Sequence, residues 1–250
     1  MKKLAQLLAF CALATDASPV LAHGETSGGT RIAYDLDIAG LPIGWGVVEL
    51  ALQDDGRYQI DIGMKLEILF WRAGVAGSAE GKVEAGDVKP GMCSATVLQA
   101  GKVPVDLFTD FESDTVLDWA VTPKLEDKYE EGCVPLGQAD IERTLDPLSA
   151  LFVYSETAAE ACDRTIPIFA FGTRLDLMLT PGVEIETGIY SCNVRYRPIA
   201  GHREESESVQ ILLRTDPRLT VFEIKPGLWA PHQVGLPTRL GSLTFTHQAH

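Results

Sequence analysis

Apolar and polar residues alternate along most of this chain, in short runs separated by glycine and proline. Between Arg31 and Gly40 the apolar residues take every second position: Ile32, Tyr34, Leu36 and Ile38. This is the period of a β-strand with one buried face. The next apolar run ends at Asp55-Gly56, a dipeptide typical of hairpin turns. The pattern therefore predicts paired antiparallel strands from the start of the chain.

Strand signals recur roughly every 10 to 14 residues, and we predict a further turn at Lys89-Pro90-Gly91. The acidic, aperiodic segment from Lys124 to Glu142 predicts a long loop. Strands resume after it at "RLDLMLT", "EIETGIYSCNVRYRPIAG", "SVQILLRT", "LTVFEIK" and "LGSLTFTH". The predicted fold is mainly β: a strongly curved antiparallel sheet or an incomplete β-barrel, similar to a β-spiral.

One stretch, "ERTLDPLSALFVYSETAAEAC", breaks the alternation. Asp146-Pro147 is a helix-start signal, with the acid as N-cap and proline at the first helical position. Leu148, Leu151 and Phe152 then form an apolar face at helical spacing. We predict one amphipathic helix from Pro147 to about Ala161, packed on or into the sheet.

Asp146 and Ser149 also invite a catalytic interpretation. A serine nucleophile needs a base and a sharp glycine-flanked turn, and the chain contains no G-x-S-x-G. Capping by Asp146 is the favoured interpretation, and no catalytic residue is predicted.

The first 22 residues have the pattern of a signal peptide. Lys2 and Lys3 precede an apolar stretch from Leu4 to Ala14, and "VLA" suits cleavage after Ala22. The apolar stretch is shorter than the roughly 20 residues that span a bilayer. We predict an exported, periplasmic protein that does not span the membrane, with one β-rich domain over residues 23–250.

The net charge of −14 excludes some partners. Such a surface repels phosphate backbones and anionic headgroups, which argues against nucleic acid and against electrostatic membrane binding.

Four cysteines remain after residue 22: Cys93, Cys133, Cys162 and Cys192. Their even number and the export signal favour disulfides, and four cysteines allow three connectivities. The pairs Cys93–Cys133 and Cys162–Cys192, neighbours in sequence order, are the favoured prediction.

Candidate chemistry is sparse, and we expect no resident cofactor or metal. Cleavage after Ala22 would place His23 at the N-terminus, where its amine and imidazole could chelate copper with a second histidine; the alternative is a tail residue without a role. Paired carboxylates for glycan hydrolysis stay open as well. The acidic run "GHREESES" predicts a solvated hairpin tip.

Phe70 and Trp71, in "EILFWRAGVAG", form an apolar cluster without clean alternation. Core packing is one interpretation, and the lip of a ligand cavity or a partner-binding patch is the other. With Leu148, Leu151 and Phe152 they are the candidate lining of an apolar binding site.

Several stretches together resemble an exported bacterial family catalogued as domain of unknown function 3108. They are "YDLDIAGLPIGWGVVEL", "LFWRAGVAGSAEGKV", "LDPLSALF", "IPIFAFGTRLDLML", "CNVRYRPIAGHR" and "PTRLGSLTFTH". The resemblance implies a Gram-negative, alphaproteobacterial-type periplasmic protein and a disulfide between Cys162 and Cys192. The pair Cys93 and Cys133 and the acidic insert depart from that pattern.

The resemblance carries no catalytic residues to this chain. We therefore expect a non-enzymatic protein that supports the cell envelope by binding an apolar, lipid-like ligand or a periplasmic protein partner. The alternatives are the glycan hydrolase and the copper protein using His23.

Overall fold

The computed structural model describes residues 29–68, 71–124 and 132–248. They form one 14-stranded antiparallel sheet that nearly closes into a barrel, so the mainly β prediction is confirmed. The strands are β1 (Thr30–Ile38), β2 (Leu41–Leu52), β3 (Arg57–Ile68), β4 (Trp71–Glu84), β5 (Asp87–Gln99), β6 (Val105–Glu112), β7 (Thr115–Thr122), β8 (Val153–Tyr154), β9 (Arg164–Ala170), β10 (Thr173–Glu186), β11 (Ile189–Ala200), β12 (Arg218–Lys225), β13 (Leu228–Thr238) and β14 (Gly241–His247).

The sheet is a meander whose two ends face each other. Strands β1 to β7 follow one another in space, β14 to β9 follow one another in the other direction, and β1 pairs with β14 to join the two runs. The remaining gap lies between β7 and β9, and we call it the seam. The rings of Trp119 on β7 and Phe169 on β9 lie edge to face across it, 5.4 Å apart at their centroids. Side chains therefore span the seam where no strand pairing does.

The alternation noted in the sequence sorts side chains between the two faces of the sheet. Ile32, Leu36 and Ile60 lie on the inner face and are almost fully buried in the main core. Each such side chain contributes roughly 1.5–3 kcal/mol through removal from water. The tight hairpins and this inner face account for the curvature.

Antiparallel order gives the sheet two ends. The turn between β1 and β2 (residues 39–40) and the turn between β13 and β14 (residues 239–240) lie at one end, which we call the upper end. The turn between β12 and β13 lies at the opposite, lower end. The connection from β11 to β12 carries helix α2 (Glu207–Arg214) at the upper end.

The predicted helix from Pro147 to about Ala161 is wrong. In its place are a 3₁₀ turn (Ser149–Leu151), the short strand β8 and a single helical turn, α1 (Ala158–Ala161). Phe152 has an extended backbone, so Val153 and Tyr154 pair with β13. Burial of Phe152 and strand pairing of two residues with high β propensity outweigh the local helical spacing.

Helix α1 begins at a signal that lies further along the chain. Thr157 Oγ1 accepts a hydrogen bond from Glu160 N at 3.2 Å, and Glu160 Oε2 accepts one from Glu156 N at 3.1 Å. This Thr-x-x-Glu pattern is a typical N-terminal capping arrangement.

Two other local predictions are also wrong. "SVQILLRT", predicted as a strand, is most of α2, and the run "GHREESES" leads into that helix instead of forming a hairpin tip. The Lys89-Pro90-Gly91 turn lies inside β5, where Gly91 is a bulge, while the turn itself is at Ala85-Gly86. Both Ala85 and Gly86 have positive φ, as a two-residue hairpin turn requires.

Of the two predicted disulfides, one is present. Cys162 and Cys192 are bonded, with Cα atoms 5.3 Å apart, which ties the end of α1 to β11. Cys93 and Cys133 are both thiols, so the second predicted bond is not formed. Cys93 is buried on β5, whereas the backbone of Cys133 forms an isolated antiparallel β-bridge with Arg203, which follows the end of β11.

Candidate functional site

Residues 144–154, which we call the strap, cross the inside of the sheet. Leu145 pairs with β9 through two backbone hydrogen bonds of 2.8 Å, from Leu145 N to Pro167 O and from Phe169 N to Leu145 O. At its other end β8 pairs with Leu228 and Trp229 of β13. The predicted architecture of a segment packed into the sheet is thus fulfilled by an irregular strap and not by a helix.

Asp146 holds the first turn of the strap. Its Oδ1 accepts hydrogen bonds from Leu148 N and Ser149 N, both at 2.9 Å. Asp146 is predicted as the N-cap of an α-helix; that helix is absent, and Asp146 instead accepts backbone hydrogen bonds at the start of a 3₁₀ turn whose N-cap is Leu148. Ser149 is therefore part of the capped turn, as the favoured interpretation required.

Asp146 belongs to a buried polar cluster with Tyr58, Cys93 and Ser149. The Tyr58 hydroxyl and Ser149 Oγ are 2.7 Å apart, and Asp146 is 0% exposed. Burial raises the pKa of the Asp146 carboxyl, although the hydrogen bonds from Ser149 and Leu148 oppose the rise. Asp146 Oδ2 has no hydrogen bond of ordinary geometry in the structure.

The same burial suppresses the other acidic groups of this cluster. It raises the pKa of the Cys93 thiol and of the Tyr58 phenol far above their usual values, with the nearby Asp146 carboxyl adding to both shifts. A thiol needs its thiolate form to act as a nucleophile. The cluster is accordingly suited to fixing the strap against the sheet and not to nucleophilic chemistry.

Three of the five predicted lining residues, Leu148, Leu151 and Phe152, lie on the strap, and Trp71 lies at the start of β4. Phe152 is in the main core, and Leu148, Leu151 and Trp71 pack against that core. Phe70 lies outside the described residues. Two small cavities adjoin the strap. One of about 10 Å³ lies between Phe152, Tyr58 and neighbouring side chains, and one of about 30 Å³ lies between Leu151, Trp229 and their neighbours.

Cavities of this size hold about one or two water molecules. Neither of these two cavities has room for a lipid chain, and buried side chains such as Phe152 pack around them. The ligand-binding role of these five residues stays a prediction.

The upper end carries exposed apolar side chains on adjacent elements. Leu41 follows the β1–β2 turn, Leu240 lies in the β13–β14 turn and Leu213 is on α2; they are 68%, 55% and 51% exposed. Ala39 N donates to Ser242 O at 2.9 Å, which joins the two turns. We call these three residues the upper patch.

Charged residues of both signs lie on the same elements as the upper patch or next to them in sequence. Arg239 and Glu207 form an ion pair at 3.0 Å that connects the β13–β14 turn to α2. Arg214, Glu204 and Glu205 are exposed nearby in sequence. An apolar centre with a polar rim of mixed charge is the usual composition of a protein interface.

Two histidines lie side by side on the inner face near the lower end. His232 is on β13 and His247 on β14, with ring centroids 5.8 Å apart. Phe222 is stacked on His247 at 4.5 Å, and Tyr34 contacts the same ring edge to face. Both histidines are half-buried.

Over the described ranges, no three acidic, thiol or imidazole side chains are grouped as a metal site, and His23 lies outside those ranges. Asp110 and Asp118 face each other across β6 and β7, but they are not among the residues lining either cavity. No helix within the described residues is long and apolar enough to cross a membrane.

Sequence reasoning missed the upper patch and the histidine pair. Leu41, Leu213 and Leu240 are separate in the sequence, and only the β1–β14 pairing places their elements together. The "SESVQ" start of α2 was a readable signal, since Ser206 precedes an amphipathic run. Nothing in the sequence places His232 beside His247.

The fold and these surfaces define a class: an antiparallel, nearly closed barrel with a filled interior and a strap across it. No protein-family model, curated protein or solved structure matches this chain.

Proposed function

We propose that this protein is a non-enzymatic component of the periplasm that supports the cell envelope by docking a protein partner on its upper patch. The observation that carries the proposal is that three exposed leucines, Leu41, Leu213 and Leu240, lie on elements at the same end of the sheet. Export rests on the signal-peptide pattern and on the resemblance to the family of unknown function.

The size of the cavities favours a partner over an internal ligand. A lipid chain needs hundreds of cubic ångströms, whereas the two cavities described hold about 10 and 30 Å³. Admitting such a ligand would require Phe152 and the strap to leave the core, at a cost of several buried side chains.

Charge favours a protein over a lipid surface. With a net charge of −14, the protein is repelled by anionic headgroups. The charges of both signs at the upper end, which include the Arg239–Glu207 ion pair, suit a partner surface that also carries both signs around an apolar centre.

Site-specific photo-crosslinking in periplasm tests the proposal. A photoreactive residue replaces Leu240, and Val183, which is 68% exposed at the lower end, is the matched control. We expect one discrete protein adduct from position 240 and none from position 183, and Leu41→Glu should abolish it. The same adduct from both positions, or an adduct that survives Leu41→Glu, would contradict docking on the patch.

Native mass spectrometry of the purified protein, with analysis of its organic extract, distinguishes partner docking from binding of an apolar ligand. The proposal expects the mass of the protein alone with one disulfide formed. A stoichiometric lipid that is lost in Leu151→Asp would establish ligand binding in its place. Fractionation and N-terminal sequencing of the same preparation test export and cleavage after Ala22.

A further inference from the structure

We propose that His232 and His247 form a binding site for one divalent transition metal ion of the copper and zinc class. The proposal concerns the lower end of the sheet and is independent of the docking surface at the upper end. It also differs from copper binding at His23, because both residues lie in strands of the barrel.

The spacing of the two rings fits a shared metal ion. A metal bonded at about 2 Å to one nitrogen of each imidazole holds the ring centres up to about 6 Å apart. The centroids of His232 and His247 are 5.8 Å apart and the planes are inclined by 77°. Metal binding at this spacing requires the side chains to rotate so that one nitrogen of each ring reaches a common point.

Neighbouring side chains orient both rings. Phe222 is nearly parallel to His247, with an interplanar angle of 18°, and Tyr34 contacts its edge. The Tyr34 hydroxyl donates a hydrogen bond to Pro231 O at 2.8 Å, and this bond fixes the Tyr34 ring in turn. Ligands held in place by packing lose little entropy on binding.

Thr220 supplies the outer contact that metal-binding histidines commonly have. Its Oγ1 lies 3.4 Å from Nδ1 of His232. When the hydroxyl accepts a hydrogen bond from Nδ1–H, the lone pair of Nε2 is left for a metal.

The donor set indicates which metal binds. Imidazole is a good ligand for copper(II) and zinc, while the hard cations calcium and magnesium prefer oxygen. Because no third acidic, thiol or imidazole side chain is grouped with the pair among the described residues, water or a small external ligand completes the coordination.

The first test titrates metal-free protein with copper(II) and with zinc by calorimetry. We expect one equivalent to bind, with the affinity reduced by about tenfold or more in His232→Gln and in His247→Gln, because a single imidazole remains. His202→Gln at the upper end is the matched control and should leave the affinity unchanged. Thr220→Val should weaken binding by about tenfold through the lost outer contact.

A double variant, His23→Gln with His250→Gln, removes the histidines near the chain termini and should retain the equivalent. Pulsed electron paramagnetic resonance of its copper form should detect two imidazole nitrogens, a readout that does not depend on whether single variants fold. Unchanged affinity in either single variant, or loss of the two-nitrogen signal in the double variant, would overturn the proposal.

Discussion

Two polar clusters inside the barrel, one around Asp146 and one around His232 and His247, differ in burial and in the chemistry of their side chains. Around Asp146, four polar residues are sealed among the strap and the core, with Asp146 itself 0% exposed. Around His232 and His247, two imidazoles are half-buried near the lower end and contact aromatic rings.

The difference shows how to separate architecture from function in such a fold. Burial raises the pKa of the Asp146 carboxyl and of the Cys93 thiol, so it disfavours the charged form of each group. The histidine pair keeps contact with solvent and has two nitrogen donors in proximity. We infer that the first cluster fixes the strap, and the second is the metal site proposed above.

The largest expected effect is a difference in reactivity between the Cys93 and Cys133 thiols. In native protein, Cys133 should react with a water-soluble disulfide reagent, while Cys93 should react only after unfolding, because it is 1% exposed and its pKa is raised. Counting thiols before and after denaturation measures this. Zero thiols in denatured protein would instead establish the Cys93–Cys133 disulfide.

Removing the Asp146 side chain should cost about 2–4 kcal/mol of unfolding free energy, since Asp146→Ala deletes a cap and leaves a buried gap. Asp140, which accepts a hydrogen bond from Gly137 N at 2.7 Å on the surface, is the matched control. Asp140→Ala should cost below about 1 kcal/mol. Urea denaturation measures both losses of unfolding free energy. Equal losses in the two variants would contradict a stabilising contribution from the burial of Asp146.

Tyr58→Phe should cost about 1–2 kcal/mol, because the Ser149 hydroxyl is left buried without its partner. Adding Ser149→Ala should restore part of that loss. A double-mutant cycle measured by thermal unfolding gives the coupling, and strict additivity would show that the two hydroxyls do not interact.

The charge state of Asp146 should make stability depend on pH. Its folded pKa lies above the unfolded value of about 3.9. The stabilisation that this raised pKa gives the folded state is therefore fully present below the unfolded pKa, and it is lost as the pH rises through the folded pKa. Asp146→Asn cannot ionise, so its stability relative to the natural protein should improve with rising pH. A difference that is flat between pH 4 and 8 would contradict this.

The smallest effect should come from the histidine pair without metal. His232→Gln should change unfolding free energy by less than about 0.5 kcal/mol, since the side chain is half-buried and its polar contact to Thr220 is long, at 3.4 Å. A loss comparable to that of Asp146→Ala would show that the pair is structural.

Much of the sheet followed from the alternation of residues such as Ile32 and Leu36, because strand period and hairpin turns are local signals. The strap could not be predicted in this way. Leu148, Leu151 and Phe152 have helical spacing, but β13, about 75 residues away in sequence, is the strand with which β8 pairs. Asp146 does accept local backbone hydrogen bonds, as a capping residue would, but not at the start of the predicted helix. The histidine pair and the upper patch depend on strand neighbours, which a single sequence does not show.

Pairing of β1 with β14 also has a kinetic consequence. Tyr34 lies opposite His247, so the contact that joins the two runs of strands links positions near the two ends of the described chain. Such long-range contacts make folding slow, and until β14 is in place both β1 and β13 expose an unpaired edge to other chains. Completion of the barrel therefore has to follow synthesis of the whole molecule, and the period before it is when aggregation is most probable.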